Sequence, residues 1–93
     1  MNSEPTARMI RISGRVQGVF FRGWTVDQAR ELGVAGWVRN CPDGSVEARL
    51  SGDEGAVAQL IERMREGPSG ARVDELNVAD CEFEDFERFE VRH

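Results

Sequence analysis

The chain has 93 residues and 40% hydrophobic content, a length within the range of one domain and sufficient for one modest core. Its net charge of -5 at pH 7 argues against nucleic acid or an anionic membrane as partner, because both demand Lys and Arg to neutralise phosphate. All twelve basic residues are Arg, and the lack of Lys removes Schiff-base chemistry, a phosphate-loop lysine and a Ser-Lys pair. No run approaches the roughly 20 apolar residues of a bilayer span, and Met1 to Arg8 lacks the apolar stretch of a secretory leader, so a soluble cytoplasmic protein is expected. Residues 1–93 are expected to form a single domain, with residues 1–7 flexible.

From Arg8 to Ser13, Ile10 and Ile12 alternate with Arg11 and Ser13, the period of a strand. A turn bracketed by Gly14 and Gly18 follows. Phe21, Thr25, Ala29 and Leu32 then recur at helical spacing until Gly33 supplies a stop. Val34 to Asn40 is rich in β-formers, Pro42-Asp43-Gly44 makes a turn, and Val46, Ala48 and Leu50 alternate with Glu47 and Arg49 as a returning strand. Ser51 with Glu54 has the spacing of a capping box, Val57, Leu60, Ile61 and Met64 form one helical face, and Gly67-Pro68 ends it. Val73 to Ala79 reads as a fourth strand, and Phe89 with Val91 marks a short fifth one.

The order β-α-β-β-α-β with an added terminal strand predicts an α+β, ferredoxin-like sandwich, two helices on one face of an antiparallel sheet. Right-handed crossovers make the first two strands run the same way with the third between them. The Gly14 to Gly18 turn, the start of the first helix and Asn40 therefore meet at one end of the molecule.

At that end, glycines in the segment from Gly14 to Arg22 permit positive φ, so that consecutive N–H groups can face inward beside a helix N-terminus and cradle an anion. Arg22 can add a forked guanidinium to the same anion. Each feature has a plainer reading: the glycines as a tight turn, Arg22 as a surface residue, Asn40 as a turn former. Their convergence gives the functional reading its weight. The other candidates are weaker. Cys41 and Cys81 fit no CxxC pattern, and Glu47 and Glu87 stand where a Cys-x5-Arg phosphatase loop needs Arg. With His93 as its one histidine and no HExxH, the chain offers no transition-metal site, and no metal or other cofactor is expected. His93 itself is expected at the surface without a catalytic role. Trp24 and Trp37 are read as packing residues, not base-stacking platforms.

The run Gly14-Arg15-Val16-Gln17-Gly18-Val19-Phe20-Phe21-Arg22 resembles the acylphosphatase signature G-x-V-Q-G-V-x-F-R. Gly36 through Glu47 is similar to that family's second signature, G-W-V-x-N-x-x-D-G-x-V-E, and Thr25, Ala29, Leu32, Gly33, Gly67-Pro68 and Ala71-Arg72-Val73 also fall where the family places them. The resemblance extends over nearly the whole chain from Ala7; the family commonly closes on an aromatic residue where this chain has His93. It implies hydrolysis of a small-molecule acyl phosphate to carboxylate and phosphate, with inorganic phosphate as product or inhibitor. Val16, Gln17, Gly18, Val19, Phe20 and Phe21 would form the phosphate-binding loop, Arg22 would hold the phosphoryl group, and Asn40 would position water. A metal-independent, monomeric, free-standing enzyme is expected. A non-catalytic anion-binding module on the same scaffold is the main alternative, and an RNA-binding domain a weaker one.

Overall fold

In the computed structural model, which describes residues 4–93, the elements run β1 (Pro5–Arg15), α1 (Phe21–Leu32), β2 (Ala35–Asn40), β3 (Val46–Asp53), α2 (Glu54–Glu66), β4 (Arg72–Asp80) and β5 (Phe89–Val91). The expected flexible leader falls partly on residues 1–3, which lie outside the described residues. Pro5, Thr6 and Ala7, by contrast, pair with Asp53, Gly52 and Ser51, so β1 begins before the hydrophobic alternation does. Ladder bonds to the long β3 hold these residues, and Ala7 is buried there.

The sheet order is β4-β1-β3-β2-β5. β3 pairs antiparallel with both β1 and β2, so those two strands run in the same direction, as the crossover rule requires. Ile10, Ile12, Val38, Val46, Ala48 and Leu50 point from the sheet towards the helices, which answer with Phe21, Val26, Ala29, Val57, Leu60 and Met64. The opposite face carries a charge ladder. Arg11 and Arg39 stand directly across from Glu47 on neighbouring strands, and the Arg39–Glu47 pair closes to 2.7 Å.

Two details depart from the sequence reading. The sheet is mixed, because β5 pairs parallel with β2 through Gly36↔Phe89 and Val38↔Val91. The cause is directional: β4 ends where β2 begins, so a chain crossing there enters β5 alongside β2 and not against it. The crossing segment 81–88 is tied to β3 by Ser51 Oγ, which donates to the Glu84 carbonyl at 2.8 Å, and by Arg49, which donates to the Glu82 carbonyl. Ser51 is thus engaged inside β3 and does not cap α2. That cap is Asp53, whose Oδ2 accepts from Gly55 N–H at 3.1 Å and Ala56 N–H at 3.3 Å.

Cys41 follows β2 and Cys81 follows the oppositely directed β4, and both are free. Their separation of about one strand length, roughly 20 Å, exceeds the ~7 Å that a disulfide tolerates between Cα atoms. Titration under non-reducing conditions is expected to find two thiols in denaturant, with the half-buried Cys81 reacting ahead of the buried Cys41 in the native state. Recovery of no thiol would contradict this layout.

Candidate active site

Gly14 to Phe20 carries the chain from β1 into α1. At Gly14, φ is 123° and a Cβ would collide with the Arg72 carbonyl, so its missing side chain lets edge strand β4 close in at the register shift between Ser13 and Gly14. Gly18, at φ 76°, faces open space; there the backbone angle alone calls for glycine. Phe20 then takes φ 65° and ψ 25°, a left-handed conformation that costs a residue with a Cβ about 1–2 kcal/mol.

This path leaves the N-terminus of α1 open. Phe20 occupies the N-cap position without a side-chain cap bond, and no acidic residue stands in the first turn. Trp24 N–H donates to the Phe20 carbonyl at 3.0 Å, but the amides of residues 17–23 find no acceptor among the described residues. The other helix is the control, since α2 has Asp53 on its free amides and Glu54 in its first turn. Unpaired N–H groups at the positive end of a helix dipole form an anion site.

Arg22, the second residue of α1, is half-buried. Ion pairs among the described residues engage Arg8, Arg11, Arg39, Arg49, Arg63, Arg65 and Arg72, and Arg22 takes part in none. Asn40 closes β2 beside it. Its Oδ1 is buried with no hydrogen-bond partner, a condition that costs a polar atom about 1–3 kcal/mol. Both residues line one cleft of about 350 Å³, together with Val16, Gly18, Phe20 and Phe21 of the expected loop.

Gln17 and Val19 do not line the cleft. Val19 packs against the core, while the Gln17 side chain leaves the loop and donates through Nε2 to the carbonyls of Cys41, at 2.9 Å, and Ser45, at 2.8 Å. The amide of Gln17 thereby fastens the loop to the turn directly after Asn40. That turn is braced from the other side: Asp43 Oδ1 accepts from Ser45 N–H at 3.0 Å and from Ser45 Oγ at 2.6 Å, and Arg11 donates to Asp43 and Ser45. Hydrogen bonds from the Ser45 hydroxyl and backbone amide hold the Asp43 carboxyl below its ordinary value of 3.8, with Arg11 adding a smaller pull the same way.

Gly23, Val91 and His93 complete the cleft lining and were not among the expected site residues. His93, expected only at the surface, is exposed but stands at the cleft. Its place follows from the parallel pairing of β5 with β2 and from the bond of Arg92 N–H to the Val38 carbonyl at 2.9 Å. No pattern in the sequence encodes that pairing, although β5 itself was visible in Phe89 and Val91.

Two outcomes are expected. Gln17→Ala removes both ties and lowers the unfolding free energy by about 1–3 kcal/mol in urea titrations. For Asp43, a depressed folded-state pKa means that its stabilising effect is present above the ordinary carboxylate value and is lost as pH falls through the lower one. The stability gap between wild type and Asp43→Asn should therefore shrink as pH drops below 3.8 and be constant near neutrality.

A sequence model of the family described as Acylphosphatase matches residues 8–91. An acylphosphatase of Rhizobium etli is 49% identical over 95% of this chain and 94% of its own length, and one of Rhodospirillum rubrum is 57% identical over 75% of this chain and 77% of its own. The structure of an acylphosphatase from Coxiella burnetii superposes with a TM-score of 0.91 at 39% identity, covering 95% of this chain and 93% of that one. With both sequence signatures placed on one cleft, the chain belongs to the acylphosphatase family, hydrolases of the carboxyl-phosphate bond in acyl phosphates.

Proposed function

We propose that this acylphosphatase seats the phosphoryl group of its substrate on the open N-terminus of α1 and the Arg22 guanidinium, while Asn40 aims the attacking water. The observation that carries this reading is the orphaned Asn40 Oδ1, a buried acceptor with no protein partner at the same cleft as a half-buried, unpaired arginine. Arg22 and backbone amides are donors and suit a phosphate dianion. A carbonyl oxygen does not. It suits a water, which can donate one O–H to Oδ1 and turn a lone pair towards phosphorus. A module that merely bound phosphate would have no use for such an acceptor.

The chemistry needs little else. Water oxygen bonds to phosphorus as the bond from phosphorus to the acyl oxygen breaks, and the bonding pair leaves with the carboxylate. That carboxylate has a conjugate-acid pKa of roughly 4, so it departs at neutral pH without a general acid. Asn40 cannot accept a full proton, and the proton lost by water passes to a phosphoryl oxygen. The loop amides and Arg22 stabilise charge spread over the phosphoryl oxygens, which is the main demand of this transfer. The products are carboxylate and inorganic phosphate, and phosphate competes with substrate for the same cradle.

Other expectations attach to the same reading. The continuous core beneath both helices supports a single catalytic domain, a monomer in this proposal, and charge stabilisation by the loop amides and Arg22 supports a reaction that needs no metal. A cytoplasmic setting belongs to the same reading, since the fold relies on no disulfide that would call for an oxidising compartment, and no helix among the described residues is long and apolar enough to cross a membrane.

The test is hydrolysis of benzoyl phosphate in the presence of a chelator. Arg22→Gln and Asn40→Ala should each lower kcat by about 10²- to 10³-fold, the usual effect of losing one transition-state contact of this kind. Arg22→Gln should also weaken inhibition by inorganic phosphate, and Asn40→Ala should leave it nearly unchanged. Equal loss of phosphate affinity in both variants would refute the division of roles.

A further inference from the structure

Phe20 burdens the fold without an evident return. It is the one non-glycine residue at positive φ among the described residues, and its side chain is 73% exposed, so little hydrophobic burial offsets the strained backbone. Asn or Gly would take that conformation more readily. The next anomaly lies three residues on. Gly23 sits inside the first turn of α1 at an ordinary φ, where Ala would be the better helix former.

The two anomalies explain each other. A Cβ on Gly23 would come within 2.5 Å of two carbons at the far end of the Phe20 ring. The bare glycine is what lets the ring lie against the helix, and the left-handed Phe20 backbone is what delivers it there. Their joint product is an exposed aromatic ring laid against the first turn of α1, lining the cleft that also contains Arg22 and Asn40.

The dimensions of the cleft show what such a ring could meet. At about 30 Å³ per water, 350 Å³ has room for on the order of ten waters, well beyond one phosphoryl group and an attacking water. The lining mixes polar side chains, those of Arg22, Asn40 and His93, with apolar ones, those of Val16, Phe20, Phe21 and Val91. Val16 and Phe21 are buried in the core and Phe20 is exposed, so an acyl group attached to a phosphoryl group at Arg22 finds in Phe20 an apolar surface open to it.

We infer that Phe20, seated over Gly23, is a specificity-determining contact that receives the acyl portion of the substrate and favours aromatic acyl phosphates over small aliphatic ones. The inference rests on the proposed placement of the phosphoryl group at Arg22. An aromatic acyl group would pack edge or face against the ring, a contact that acetyl cannot make.

The experiment compares kcat/KM for benzoyl phosphate and acetyl phosphate in wild type, Phe20→Asn and Gly23→Ala. Asn tolerates the left-handed backbone, and Ala at position 23 favours the helix, so neither change is aimed at folding. The benzoyl-to-acetyl ratio should exceed one in wild type, fall roughly tenfold in Phe20→Asn, and fall about threefold in Gly23→Ala, where the ring is present but displaced. A ratio unchanged in both variants overturns the inference, however the absolute rates move, because a purely structural role would lower both substrates together. Full activity of Arg22→Gln and Asn40→Ala on both substrates would instead remove the phosphoryl placement, and the inference with it.

Discussion

The double antiparallel pairing of β3 is the constraint on which the rest of this molecule depends. Because Ile12 and Asn40 both pair with Val46 from opposite sides, the C-terminal reaches of β1 and β2 lie level with each other at one end of the sheet. The loop that leaves β1 and the residue that closes β2 are thereby neighbours in space, although the whole of α1 and the rest of β2 lie between them in the chain. The buried side chains of β3 sit between those of its neighbours in the core, so a register slip would turn Val46, Ala48 and Leu50 out to solvent. The hydrophobic pattern that holds the sheet together also sets the spacing of the site.

The two helix N-termini illustrate how stability and function divide within one small fold. α2 closes its end with its own side chains, through Asp53 and Glu54. α1 leaves its amides unpaired, keeps acids away from its first turn and carries strain at Phe20. Such an end is unfavourable in isolation, and packing of Phe21, Val26 and Ala29 into the common core holds it in place. In the proposed function this arrangement keeps donors ready for the phosphoryl group without reorganisation at the moment of reaction.

Rigidity around the site comes from polar ties at its flank. Gln17 joins the loop to the β2–β3 turn, and Asp43, Ser45 and Arg11 fix that turn in a network where Ser45 is buried and each bond has a protein partner. Asn40 closes β2 immediately before the turn and shares the cleft with the loop, so these ties hold the backbone on both sides of it. Sequence signatures alone would assign Gln17 to the phosphate loop for its backbone. In the fold, its side chain has the separate task of tying that loop to the turn.

Sequence by itself determined the elements and their partners in outline, because alternation at Ile10 and Ile12 and helical spacing at Val57, Leu60 and Met64 record which faces must leave water. It also determined the family and the two residues on which the proposed chemistry turns, since Gly14 to Arg22 and Gly36 to Glu47 are long contiguous motifs. What it could not fix were contacts between segments far apart in the chain. The parallel docking of β5 that brings His93 to the cleft, the engagement of Ser51 by the Glu84 carbonyl in place of the α2 cap, and the turning of the Gln17 side chain towards Cys41 and Ser45 all arose from pairings outside any local window. Only tertiary structure decided these, for a physical reason: a side chain takes the partner that is nearest once the strands have docked, and local spacing carries no record of which distant carbonyl that will be.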